Sequence, residues 1–216
     1  MEHCLQIDSV IKHFENKIIL SDIYIELKTK DIIGIHGRNG SGKSTLFNII
    51  YGIEQANQSI IRYNNKTIKR PFKRKQLIAY STQKCFLPKN IYVKHILKLF
   101  VNDDLLNNCL SIFNSIKDTK VIDLSGGEKK LLQTYLILNT DAKFILLDEP
   151  FSKLSPLMIE NLCELITQKS KTKGILICDH NFEKIFKISN KNYLLKNGSL
   201  KNISSIDNYI EQQYLI

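Results

Sequence analysis

Apolar residues fall along this chain in short runs, separated by stretches with the spacing of helices. Runs of β character lie at residues 5–10, 23–27, 32–36, 60–63, 77–80, 144–147, 175–178 and 193–195. Three of these, 32–35, 144–147 and 175–178, are apolar without alternation, as parallel strands buried on both faces must be. They predict an α/β sheet with helices on both sides. In the first third several strands crowd together with little helix between them, and Asn64-Asn65 and Asn197-Gly198 read as hairpin turns. An antiparallel layer beside the parallel core is expected there. Residues 91–116 switch to helical spacing (Ile91, His95, Leu99; Leu105, Leu106, Cys109, Leu110, Phe113), which predicts a small helical subdomain at about 91–123 within one domain spanning 1–216. The chain shows no internal repeat, low-complexity tract or long linker.

With 216 residues, 43% of them hydrophobic, the chain can bury a full core. It has no apolar stretch near the roughly 18 residues of a membrane span, and Met1-Glu2-His3-Cys4 lacks the basic and apolar regions of a signal peptide. A cytoplasmic location is expected. The five cysteines form no C-x-x-C pair, so reduced, mostly buried thiols are expected rather than zinc or redox chemistry. The net charge of +10 includes six basic residues within 66–75. That run invites a nucleic-acid or anionic-surface reading, but only Phe72 is interleaved with it, and a solvated face explains it more simply.

Candidate chemistry begins after the strand at 32–36. Gly37-Arg38-Asn39-Gly40-Ser41-Gly42-Lys43-Ser44 matches G-x-x-x-x-G-K-[ST] between a strand and a helical run that starts at Thr45, the context in which such a loop cradles phosphate. Its glycines let successive N–H groups point at a β-phosphate, Lys43 brings charge to the β and γ oxygens, and the Ser44 hydroxyl can ligate Mg²⁺. The strand at 144–147 ends in Asp148-Glu149, at the carboxyl edge where open α/β sheets bind ligands. Asp148 is the candidate to hold Mg²⁺ and Glu149 the candidate to polarise the attacking water. The strand at 175–178 repeats the layout and ends in Asp179-His180, with His180 a candidate γ-phosphate contact.

Ser125-Gly126-Gly127-Glu128 precedes a further helical pattern. Ser125 and Glu128 form a capping box. Two adjacent glycines in a first turn, at about 1 kcal/mol each relative to alanine, require that something approach the backbone closely. This predicts a second helix N-terminus suited to an anion.

Together these residues resemble the ATP-binding cassette (ABC) family of ATPases over nearly the whole chain. Residues 37–45 look like its Walker A, Gln83 like its Q-loop, 124–128 like its signature motif, 147–150 like Walker B, and His180 like its switch histidine. The resemblance implies a P-loop NTPase core with a mostly parallel sheet, an N-terminal antiparallel β layer and a small helical subdomain. It implies ATP and Mg²⁺ as cofactors, with Ser44, Gln83 and Asp148 toward the metal, Glu149, His180 and Gln83 in catalysis, and Phe14 stacking on adenine. It also implies a head-to-tail dimer with a second cassette, identical or not. In that dimer Ser125, Gly126 and Gly127 of one subunit close on the γ-phosphate held by the other. Transmembrane permease subunits complete the assembly at the cytoplasmic face of a membrane.

The chain departs from the family pattern at three places. Ser152-Lys153-Leu154-Ser155 stands where the family reads S-A-L-D, Glu128 replaces the commoner glutamine, and the segment from 83 to 125 is short. Ser155 can still cap a helix begun by Pro156, but the missing carboxylate bears on communication between sites. The expected function is an ATPase that drives transport through a separate membrane partner. The alternatives are a soluble cassette acting on ribosomes or nucleic acid, and a regulatory cassette with weak turnover. No N-K-x-D guanine motif is present. Asp148-Glu149-Pro150-Phe151 and Asp179-His180-Asn181 are similar to stretches of the ATPases of lipopolysaccharide export and branched-chain amino-acid uptake.

Overall fold

In the computed structural model, which describes residues 2–15, 17–100 and 111–214, the apolar runs assemble into two sheets. Strands β1 (Cys4–Phe14), β2 (Lys17–Lys28), β4 (Gln58–Tyr63) and β5 (Lys66–Thr67) form an antiparallel sheet in the order β2-β1-β4-β5. The second sheet, ordered β10-β9-β3-β8-β7-β6, comprises β3 (Ile32–His36), β6 (Ile78–Ser81), β7 (Phe144–Asp148), β8 (Gly174–Cys178), β9 (Lys191–Lys196) and β10 (Ser199–Asn202). It is parallel from β9 to β6, with β10 added antiparallel at its edge. Both short strands that the apolar pattern does not mark, β5 and β10, are second arms of hairpins. Their turns place Asn64, Asn65, Asn197 and Gly198 at positive φ, the conformation asparagine and glycine tolerate.

Helix α1 (Lys43–Tyr51) lies between the sheets, and α4 (Gly126–Leu138), α5 (Pro156–Ser170) and α6 (Phe182–Ile188) cover the other face of the parallel sheet. The unbroken apolar strands behave as two-sided burial requires: Phe144, Leu146, Leu176 and Cys178 point into the layer shared with α1, and Ile145, Leu147, Ile175 and Ile177 point beneath the other helices. Helices α2 (Val93–Phe100) and α3 (Ser111–Ile116) occupy part of the segment expected to be helical. The positions Leu105, Leu106, Cys109 and Leu110 lie outside the described residues. Ser155 accepts from Met158 N at 3.4 Å with Pro156 at the first helical position, so the cap survives without the family's aspartate. The cysteines are more varied than expected. Cys163 and Cys178 are buried, Cys4 is half-buried and Cys85 is exposed, all as free thiols.

The last residue of β3, His36, is 1% exposed and stacks on Phe186, with ring centroids 4.6 Å apart, beside Tyr209 of α7 (Ile206–Tyr214). Its Nε2 lies 2.8 Å from Asn192 Oδ1. Burial holds this imidazole neutral, pulling its pKa down from 6.5 to about 4. The unfolded chain therefore takes up a proton at His36 between pH 6.5 and 4 while the folded chain does not, so this residue's contribution to stability is lost as pH falls through that window. Urea unfolding of the parent and of His36→Gln should show the parent losing roughly 2–3 kcal/mol more between pH 7.5 and 4.5. Equal losses in the two proteins would contradict the assignment.

Candidate active site

The sheet's carboxyl edge gathers most of the residues singled out from the sequence. Strand β3 ends at His36, and the chain turns through Gly37 (φ 148°), Gly40 (φ 76°) and Gly42 (φ 106°) before α1 begins. A Cβ on Gly42 would lie 3.0 Å from Ile19 Cγ2 of β2, so this glycine answers both to its left-handed backbone and to the strand above it. Lys43 folds back over the loop, its ammonium donating to the carbonyls of Gly37 at 2.7 Å and Arg38 at 3.0 Å. A groove of about 520 Å³ opens beside the loop, lined by Phe14, Ile19, Asn39, Gly40, Gly42, Lys43, Ser44, Thr45, Gln83, Glu149 and His180. Arg38 and Ser41 line an adjoining cavity of about 340 Å³ on the loop's other side. Phe14 is 49% exposed, so its ring is not part of the core, and Lys12 Nζ stands 4.5 Å from its ring centroid.

Glu149 is the convergence point of three elements. Its carboxylate accepts from Gln83 Nε2 at 3.0 Å and lies 3.2 Å from His180 Nε2. The residue adopts φ 50°, a conformation few non-glycine residues hold unless their surroundings impose it. Beneath it Asp148 is 1% exposed. One carboxylate oxygen of Asp148 accepts from the Tyr80 hydroxyl at 3.2 Å and the other from the Cys178 thiol at 3.2 Å. Burial first, and then the Asp148 charge, pushes both the Tyr80 and Cys178 pKa values up, so both groups keep the protons they donate.

Asp179 is a site residue that the sequence does not single out. Its buried carboxylate accepts from Phe151 N at 2.8 Å and Asn181 N at 3.0 Å. It thereby staples the turn after β7 to the turn after β8 and sets the spacing of Glu149 and His180. Burial raises the Asp179 pKa, opposed by these two backbone bonds. Lys130 and Gln133 are likewise not singled out by the sequence, because polar positions along a helix ordinarily mark a solvent-facing stripe. In fact α4 is buried nearly all round, and its polar residues at 130, 133 and 134 face the parallel sheet.

Ser125, Gly126 and Gly127 do not line the groove. The capping box is formed, with Glu128 N donating to Ser125 Oγ at 3.2 Å and Ser125 N to Glu128 Oε2 at 2.8 Å. The close approach demanded by the paired glycines comes, at Gly127, from the chain itself: a Cβ there would collide with the carbonyl of Lys153, itself at φ 63°. At Gly126 the nearest atoms are the flexible end of the Lys153 side chain, with Cδ at 3.0 Å.

This arrangement is that of a nucleotide-hydrolysing cassette, and the comparisons agree. The family model described as ABC transporter matches residues 20–152. The chain belongs to the ABC transporter family and is an ATPase cassette, one that binds and hydrolyses ATP in the service of transport. It is similar to the lipopolysaccharide export system ATP-binding protein LptB of Haemophilus influenzae, at 26% identity covering 91% of this chain and 88% of that one. The protein of the same description from Acidithiobacillus ferridurans is 25% identical, covering 93% and 89%. Among solved structures, the ATP-binding subunit of an ABC transporter superposes with a TM-score of 0.80 at 20% identity, covering 96% of this chain and 92% of that one. A nucleotide-free ATP-binding cassette from an ABC transporter superposes at 0.78 and 24% identity, covering 99% and 95%. These two likenesses establish the fold.

The glycine pair offers a direct check on the local packing. Gly127→Ala should destabilise the chain by about 1–3 kcal/mol, because backbone must move. Gly126→Ala should remain within about 1 kcal/mol of the parent, since only a lysine tail need shift. Equal unfolding midpoints for the two variants would contradict the Lys153 contact.

Proposed function

We propose that this chain drives a separate membrane-spanning partner, and that it works as one of two cassettes whose facing surfaces complete each ATP site. Glu149 carries the hydrolytic part of this reading: its carboxylate stands at the groove beside Lys43 and Ser44, within hydrogen-bond reach of Gln83 and His180. ATP phosphates sit against the peptide N–H groups of residues 39–45, and the Lys43 ammonium exchanges the carbonyls of Gly37 and Arg38 for the β and γ oxygens. Phe14, on the rim, offers its ring to adenine. Glu149 accepts a proton from the attacking water, Gln83 orients that water, and His180 reaches the γ-phosphate.

The Ser44 hydroxyl, Asp148 carboxylate and Gln83 amide oxygen are hard oxygen donors, a set that fits magnesium completed by phosphate and water. A magnesium ion held by these residues would supply positive charge against that of the phosphates. Tyr80 and Cys178 occupy opposite oxygens of Asp148 and fix the orientation it presents.

Ser125, Gly126 and Gly127 lie outside their own chain's groove, and this supports a site shared between two cassettes. The second cassette's signature helix then meets the γ-phosphate. The transporter reading draws on the family and on the relatives described for lipopolysaccharide export. Among the described residues no helix is long and apolar enough to cross a membrane. In this reading the membrane path belongs to the partner, and this chain sits peripherally on the cytoplasmic face. The helices within 91–123 and the loop bearing Gln83 form the part of the domain that answers to that partner.

Three substitutions separate the parts of this reading. Lys43→Ala should remove measurable ATP binding. Glu149→Gln should bind ATP normally yet hydrolyse it about 10²–10⁴ times more slowly. Ser125→Arg should bind ATP as a monomer but neither dimerise on sizing columns nor turn ATP over. Undiminished hydrolysis by Ser125→Arg would sink the two-chain site while leaving the phosphate loop intact.

A further inference from the structure

One buried cation of the signature helix lies outside the groove beside the phosphate loop. Lys130, one turn into α4, is 5% exposed. Its ammonium donates to the carbonyl of Thr82 at 2.8 Å and to the carbonyl of Asp148 at 2.6 Å. These two carbonyls belong to the peptide groups that lead directly into Gln83 and Glu149. Lys130 does not line the nucleotide groove.

The surroundings make this grip specific. The Glu149 N–H donates to the Cys178 carbonyl at 2.8 Å, so the peptide joining Asp148 to Glu149 is held by its oxygen from α4 and by its nitrogen from β8. Such bracing is what a non-glycine residue needs to persist at φ 50°. One turn along α4, Gln133 is fully buried and reinforces the other contact. Its amide nitrogen donates to Thr82 O at 2.8 Å and Ser81 Oγ at 3.2 Å, and its amide oxygen accepts from Phe86 N at 3.0 Å. The Gln83 loop is thus tied to α4 on both sides of Gln83. Burial pulls the Lys130 pKa down, while the charges of Asp148, Asp179 and Glu149 pull it up. An aliphatic residue like its neighbours Leu131 and Leu132 would fill the same volume without burying an ammonium.

We propose that Lys130 is a positioning residue for ATP hydrolysis: by fixing the two peptide groups that aim Gln83 and Glu149, it ties the catalytic geometry to the helix that carries the signature motif. This rests on the reading above that Glu149 and Gln83 act on the water. Without the ammonium, Glu149 relaxes toward negative φ and its carboxylate leaves the groove, while the phosphate loop, built on β3 and α1, keeps its shape. Loss of Lys130 therefore lowers the rate of hydrolysis and leaves the affinity for ATP intact.

The test uses the full chain with Lys130→Met, which keeps the length and removes the ammonium. Readouts are kcat and KM for ATP, equilibrium ATP affinity and the urea midpoint. The expected result is a kcat lowered about tenfold or more, with KM and affinity within about threefold of the parent. Lys130→Gln, a shorter neutral donor, should give a kcat between those of the Met variant and the parent, and it serves in place of Lys130→Met if that variant does not fold. A kcat within about threefold of the parent in whichever folded variant is measured would overturn the proposal. So would a fall in kcat matched by an equal fall in ATP affinity, which marks a purely structural role. Glu149→Gln, assayed in parallel, separates the two levels: if it hydrolyses ATP at the parental rate, the reading of Glu149 fails. If Glu149→Gln is inactive while Lys130→Met runs at the parental rate, only the role of Lys130 fails.

Discussion

A carboxylate placed at the end of a strand that is dry on both faces must find donors, and the architecture around Asp148 follows from that requirement. Water cannot solvate it at 1% exposure, and an unsatisfied buried charge costs more than a small domain can spare. Tyr80 from the neighbouring strand and Cys178 from the other side supply the two donors. Each is thereby committed to one rotamer, and the strands carrying them are held in register at the edge where the chemistry lies. Asp179 repeats the solution one strand over, with backbone N–H groups as its donors. The site's rigidity is a by-product of keeping buried charge satisfied.

The same logic separates the residues proposed to hold phosphate from those proposed to act on it. The loop at 37–42 owes its shape to positive φ at three glycines and to contacts with Ile19 and Leu195, all on the side of the antiparallel sheet and β9. Glu149, Gln83 and His180 instead follow the carboxyl ends of β7, β6 and β8, above the helix that packs beneath those strands. The two halves meet at the groove that Lys43 and Glu149 both line, so under the proposed roles a change in the helical half alters hydrolysis before it alters binding.

Much of this was legible in the residues. Unbroken apolar runs marked the central strands because burial on both faces leaves no polar positions to alternate. The phosphate loop, the Asp148-Glu149 pair, the capping box and the Ser155 cap are local, so their spacing alone discloses them. What stayed hidden is non-local. The partnership of Tyr80 and Cys178 with Asp148, and of Lys130 with two carbonyls, joins residues between 18 and 68 positions apart. No periodicity reports such pairs. Lys130, Gln133 and Thr134 stayed hidden for a definite reason: a polar stripe on a helix usually means water, and here it means the polar edge of the sheet. The positive φ of Glu149 was equally invisible, since glutamate carries no intrinsic preference for it.

The contact between Gly127 and the Lys153 carbonyl changes how the paired glycines are to be weighed as a signal. Gly127 is demanded by the chain's own fold, and any lineage that kept this packing would retain it whatever the helix end binds. Gly126 faces only a movable lysine tail, so the fold alone would let it drift to alanine. Of two adjacent and identical residues, one is fixed by architecture and the other is not, so under the proposed two-cassette reading only substitution at Gly126 would trace whether the signature surface is still in use.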